Sequence, residues 1–198
     1  WTYDGTAWKR GGEQDRMSFA FPMGNNAEFA SKGCGAICHN QDADETKWWM
    51  GTDSADVKID LWQWQSASTN PVNQSDDGWW GTKPAITSTT GRRGDVSEGG
   101  GSKANTAADG KGPAFMSKNG LTAHFLLAGE EVPLDMSKIT SGAVIPGSIL
   151  APYKGSRGDI DAKGTYANGK WVVVFSRKLN TGRDDDVVID NQTRYGGL

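Results

Sequence analysis

Val57-Lys58-Ile59-Asp60-Leu61-Trp62-Gln63-Trp64 alternates without a break and sets Val57, Ile59 and Leu61 on one face of an extended chain. A period of two over this length predicts a strand with distinct faces, since successive side chains of a strand point to opposite sides. Ser68-Thr69-Asn70-Pro71 ends it, and Asp76-Asp77-Gly78-Trp79-Trp80-Gly81 reads as a turn carrying aromatics. Upstream, Arg16-Met17-Ser18-Phe19-Ala20-Phe21-Pro22 alternates through Met17, Phe19 and Phe21 and predicts a half-buried strand closed by Pro22. Downstream, Asn168-Gly169 is a hairpin signal, and Trp171-Val172-Val173-Val174-Phe175-Ser176-Arg177 reads as a buried strand. Ala143 to Leu150 is a broken strand, Tyr153 to Asp159 a turn-rich connection, and Asn25 to Lys32 a short helix.

Composition agrees with this pattern. Of the 198 residues 27 are Gly and 9 are Trp, and long helix-forming runs are few. That combination points to one mainly β domain with long irregular loops, large enough for a substantial core. Many tryptophans also suit a protein that walls off a large flat apolar group. With 21 Lys+Arg against 24 Asp+Glu, the net charge of −3 gives no electrostatic case for nucleic acid. No apolar run approaches the roughly 18 residues of a membrane-spanning helix. The chain begins at Trp1, which reads as a processed or trimmed end from which an export signal has been lost. There is no internal repeat, Gly-rich nucleotide loop, Ser/His/Asp triad or paired-carboxylate signature.

The chemistry sits in Gly33-Cys34-Gly35-Ala36-Ile37-Cys38-His39, which holds both cysteines and one of the two histidines. Covalent haem attachment reads C-x-x-C-H, with two thiols bonded to the porphyrin and the adjacent imidazole on iron. Here three residues separate the thiols, and small Gly35 and Ala36 allow the longer loop to bulge. A Cys34–Cys38 disulfide is an alternative, closing a short and geometrically demanding ring that has no use for the histidine. A zinc-type site is another, and would need more N/S ligands than this stretch supplies.

If iron is held here, Met50 in Lys47-Trp48-Trp49-Met50-Gly51 is the favoured second ligand. It lies eleven residues beyond His39, on a chain that could return to the opposite face of the ring. Met116 and His124 are the other candidates, although each also reads as ordinary core or edge structure. Residues 82–112, poor in apolar side chains and centred on Gly99-Gly100-Gly101, read as a long surface loop. Asp184-Asp185-Asp186 could help to hold Ca²⁺, but no full oxygen cage at a known spacing surrounds it, and it reads as a solvated turn. Two Arg-Gly-Asp triplets, Arg93–Asp95 and Arg157–Asp159, read as chance tripeptides.

Taken together, Leu61-Trp62-Gln63-Trp64-Gln65, Ser68-Thr69-Asn70-Pro71-Val72 and Asp76-Asp77-Gly78-Trp79-Trp80 resemble the W-x-W, R-T-N-P-V and D-D-x-W stretch of the ethylbenzene dehydrogenase-related haem-binding domain. That family includes the haem-bearing gamma subunits of ethylbenzene dehydrogenase, dimethylsulfide dehydrogenase, and selenate and chlorate reductases. Gly155 to Asp159 and Gly169 to Arg177, with Leu179 and Thr181 to Val187, resemble its C-terminal half. The resemblance implies a mainly β fold, a β-sandwich of two mostly antiparallel sheets with short helices and long loops, and a haem at one end. It also implies that Met50 matches the family's methionine ligand. The usual second ligand falls beyond Leu198, and Cys34, Cys38 and His39 resemble a c-type branch in which His39 takes its place.

The expectation is an exported electron-transfer domain, periplasmic or extracellular, with one covalent haem c and not an enzyme. Cys34 and Cys38 would anchor the ring, His39 and Met50 would ligate iron, and Trp48, Trp49, Trp62 and Trp64 would shield it. Its partner would be a redox enzyme subunit or another cytochrome. The alternative is a haem-free secreted β-sandwich that binds carbohydrate or protein and carries a Cys34–Cys38 disulfide. A third reading, five-coordinate iron with enzymatic activity, would leave a position open to carbon monoxide.

Overall fold

The computed structural model describes residues 1–24, 27–33, 35, 39–40, 44, 48–52, 54–82 and 91–190, with backbone alone at 27, 30, 39 and 40. A short ladder of β1 (Thr2–Tyr3) with β2 (Trp8–Lys9) opens the chain. β3 (Arg16–Met23) follows, then helix α1 (Ala27–Lys32), and then the two-residue strands β4 (His39–Asn40) and β5 (Trp49–Met50). β6 (Lys58–Gln65) is the expected alternating strand. It lies inside a four-stranded antiparallel sheet of order β3-β6-β7-β8, with β7 (Asp76–Trp80) and β8 (Arg92–Gly94) beyond it.

The second half starts with β9 (Ser97–Ala104), β10 (Phe115–Ser117), β11 (Leu126–Leu127) and β12 (Glu131–Pro133). It ends with β13 (Ser148–Gly155), β14 (Asp161–Ala167) and β15 (Lys170–Ser176). Their sheets are β11-β13-β9, β10-β12 and the hairpin β14-β15. The β11–β13 pair is parallel and the other ladders are antiparallel, so the fold is a mainly β sandwich. Among the described residues no helix is long and apolar enough to cross a membrane.

β6 supplies both faces of the central sheet, because residues directly opposite one another in a ladder share a face. Asp60, Trp62 and Trp64 face the β14–β15 hairpin. Trp64 meets Trp171 at 4.9 Å, Phe19 meets Phe175 at 5.1 Å, and the Arg177 guanidinium lies 4.8 Å from the Trp62 ring. Ile59 looks the other way, against Phe29 of α1, with Ala20 and Trp80 beside them. One face is therefore sandwich interior and the other seats the helix that leads into the cysteine stretch.

Four expectations change. Within 82–112, Arg92–Gly94 and Ser97–Ala104 are strands, not surface loop, while 83–90 lie outside the described residues. The glycines of β9 serve close approach: a side chain at Gly100 would strike the Pro152 carbonyl, and one at Gly101 the Tyr153 ring. Asp76 to Trp80 is a strand, because its carboxylates are buried in the sheet and not solvated. The Trp171 to Ser176 strand is half-buried on one side only, since Trp171, Val173 and Phe175 are partly covered and Val172 and Val174 are exposed. Asp186 is buried, where a solvated turn was expected.

Candidate functional site

The cysteine stretch is delivered by α1. Phe29, 4% exposed, pins the helix to Ile59. Gly33 closes it in the left-handed region (φ 71°), donating its N–H to the Phe29 carbonyl at 2.8 Å. Cys34 and Cys38 lie outside the described residues, and Gly35 between them is exposed.

The chain emerges as β4 and returns as β5, with His39 directly opposite Met50 and Asn40 opposite Trp49. The return of the chain expected to bring Met50 back beside His39 is therefore a two-rung ladder. Met50 is half-buried and held through its backbone, since its carbonyl accepts the Gly91 N–H. Thr52 N–H donates to the Gly81 carbonyl at 2.9 Å, and a side chain on Gly51 would strike that carbonyl and the Trp49 ring. Trp48 is exposed and Trp49 half-buried. Trp62 and Trp64 lie on the opposite side of the sheet from Phe29, Trp62 packed by Phe21, Phe175 and Arg177. Met116 is buried in the β10–β12 ladder. His124 is exposed and lines a groove of about 550 Å³ with Trp1, Arg10 and Phe125.

A second constellation, which the sequence reading did not assemble, lies on the Trp62 side of the sheet. Asp60 comes from β6, Asp77 from β7, Asp95 from just beyond β8, Asp159 from the turn before β14, and Asp185 and Asp186 from the loop after β15. Oxygens of Asp60, Asp77 and Asp186 lie within 4.8 Å of one another, as do those of Asp95, Asp185 and Asp186. The fully buried Arg177 guanidinium reaches Asp60 at 2.9 Å and Asp186 at 3.3 Å. Burial pushes Asp77 up to about 11, Asp95 up to about 8 and Asp60 up to about 6, each helped by neighbouring carboxylates; for Asp60 burial outweighs the Arg177 contact. Burial, then Asp186, also raises Asp159. Asp76, on the other face of β7, is bonded by Arg157 Nε at 2.6 Å and by Arg92 at 3.3 Å.

With this geometry in place, the comparison with known families is decisive. The family model described as ethylbenzene dehydrogenase matches residues 1–196. The chain belongs to the ethylbenzene dehydrogenase family. No curated protein and no solved structure matches it. The W-x-W, T-N-P-V and D-D-x-W residues lie between Trp62 and Trp79, inside the matched range. In the ethylbenzene dehydrogenase fold seen here they serve the centre: Trp64 Nε1 donates to Asn70 Oδ1 at 3.2 Å, and Asn70 brackets Gly164 of the opposing hairpin through its N–H and carbonyl.

Proposed function

We propose that this domain relays electrons through one covalently attached haem, with Cys34 and Cys38 as anchors and His39 as proximal ligand. The observation that carries the reading is the β4–β5 rung, which joins His39 to Met50 immediately after the cysteine stretch. An imidazole beside two thiols, with a thioether on the adjoining strand, is a donor set that fits haem iron.

The rung also sets a condition. Cβ atoms of directly opposed residues lie about 5 Å apart, whereas a flat ring gripped on both faces needs two contact spacings, about 7 Å. His39 and Met50 become ligands of one iron only if this single rung parts. Trp48 and Trp49 flank the site and would exclude water from the ring edge. Iron with imidazole and thioether ligands supplies reversible one-electron transfer at a raised potential. With His39 and Met50 both taken up in holding the iron, no place would be left for substrate, which favours relay over catalysis. Covalent attachment implies a periplasmic or extracellular setting, and the partner is a redox protein, met through a small surface as weak electron-transfer encounters allow.

A pyridine haemochrome spectrum with intact mass under denaturing conditions tests this. A c-type band and a mass raised by one haem are expected. A b-type band on unmodified chain would remove the thioether bonds. No haem in protein from a host competent in cytochrome maturation would overturn the reading in favour of a haem-free binding module with a Cys34–Cys38 disulfide.

A further inference from the structure

We propose that the carboxylates around Asp186, namely Asp60, Asp77, Asp95, Asp159 and Asp185, form a divalent-cation site of the Ca²⁺ class. Acidic residues together prove little, but here the oxygens lack partners where burial makes that costly. Asp60 Oδ1, Asp77 Oδ2 and both Asp95 oxygens are buried without a hydrogen bond, in residues no more than 5% exposed, and Asp186 Oδ1 has only the Arg177 ion pair at 3.3 Å. Ser75 Oγ shares that condition, while Asp159 is half-buried and its carboxyl is hydrogen-bonded to that of Asp77. A buried charge without a partner is among the most expensive arrangements in a fold, so these oxygens imply a missing counter-charge. Arg177 supplies one positive charge inside the cluster and Arg183 acts on Asp159 from beside it, against six carboxyl groups.

The geometry selects the ion. Each triad, Asp60/Asp77/Asp186 and Asp95/Asp185/Asp186, fits a single sphere centred beside Asp186, because oxygens at about 2.3–2.6 Å from Ca²⁺ stand at most about 5 Å apart across it. The donors described are oxygens, with no thiol or imidazole among them, which favours a hard cation over zinc. Several carboxylates in irregular array suit the flexible shell of Ca²⁺ better than the strict octahedron of Mg²⁺, which keeps its waters. A groove of about 590 Å³ lined by Lys58, Trp79, Arg93, Arg183 and Asp184 reaches the edge of the cluster at Asp185.

The ion would clamp the loop after β15 to the central sheet. That loop already docks there, Val187 N–H donating to Asp60 Oδ2 at 2.9 Å and Thr181 Oγ1 to Asp186 Oδ2. The site lies on the Trp62 side of the central sheet, opposite the face on which Phe29 of α1 packs.

The test is calorimetric titration of EDTA-treated, as-purified protein with CaCl₂, with MgCl₂ in parallel, and Tb³⁺ emission excited through nearby Trp79 and Trp62. Saturable Ca²⁺ binding, at least tenfold tighter than Mg²⁺, and Tb³⁺ emission quenched by Ca²⁺ are expected. Asp95→Asn, an isosteric change outside the Arg177 contacts, should weaken Ca²⁺ at least tenfold while leaving the circular dichroism spectrum unchanged. No Ca²⁺ heat and no sensitised Tb³⁺ emission in folded wild-type protein would overturn the proposal, as would equal affinity for Mg²⁺ or undiminished binding by the Asp95→Asn variant.

Discussion

Asn70 shows how a single side chain can join two layers. Its Oδ1 accepts from Gly164 N–H at 2.7 Å and from Trp64 Nε1, while its Nδ2 donates to the Gly164 carbonyl at 3.2 Å. Gly164 is required opposite it, since a side chain there would strike the Trp64 ring. Asn70→Ala strands a buried indole N–H and a backbone N–H, at about 2–3 kcal/mol. The expected result is a thermal midpoint lowered by roughly 5–10 °C, followed by circular dichroism; an unchanged midpoint would mean that water replaces these bonds. Met50 is tested through spectroscopy instead. In haem-loaded protein, Met50→Ala should lower the reduction potential and let the ferrous form bind carbon monoxide, which wild type should exclude. If wild type binds carbon monoxide equally well, Met50 is not a ligand.

The elements with clear periodicity were legible in the sequence. β3 and β6 follow their alternation almost to the residue, α1 ends at the glycine expected to precede the cysteines, and Asn168-Gly169 turns the β14–β15 hairpin with both residues at positive φ (52° and 76°). β7 and β9 were hidden for opposite physical reasons. β9 has almost nothing to bury, and pairs with β13 because glycine lets the backbones meet closely. β7 buries charge, so its Asp76-Asp77 looks like a turn until Arg157 and the acidic cluster are seen around it. That cluster was illegible because its members come from five separate segments. Both Arg-Gly-Asp triplets, chance tripeptides by sequence, end in one of its aspartates. The role of α1 gives a prediction at this scale. Phe29→Ala should cost about 3–4 kcal/mol, as for a large buried aromatic. It should also reduce haem incorporation beyond the loss of folded protein, measured as haem per folded chain. Haem content that merely tracks folded protein would make α1 a packing element alone.

At the scale of the whole molecule, the buried acids tie stability to pH and to the cation together. In EDTA-treated protein Asp60, Asp77, Asp95 and Asp159 hold protons in the fold that the unfolded chain has already released above its ordinary carboxylate range. The folded state then binds more protons than the unfolded one, so stability must fall as pH rises. The contribution is complete near the ordinary carboxylate pKa, and is lost first through about 6 for Asp60 and then through about 8 for Asp95. A divalent ion reverses the sign, because it binds the deprotonated oxygens and competes with those protons, so its hold tightens with pH. The thermal midpoint in EDTA should drop by at least about 5 °C between mildly acidic and mildly alkaline buffer, which corresponds to a loss of one to two kcal/mol for a chain of this size. Excess Ca²⁺ should flatten or invert that slope, the gap between the two curves widening steadily with pH. A midpoint in EDTA that stays level or climbs across this window would show that the acids keep their charge without an ion, compensated by Arg177 and solvent.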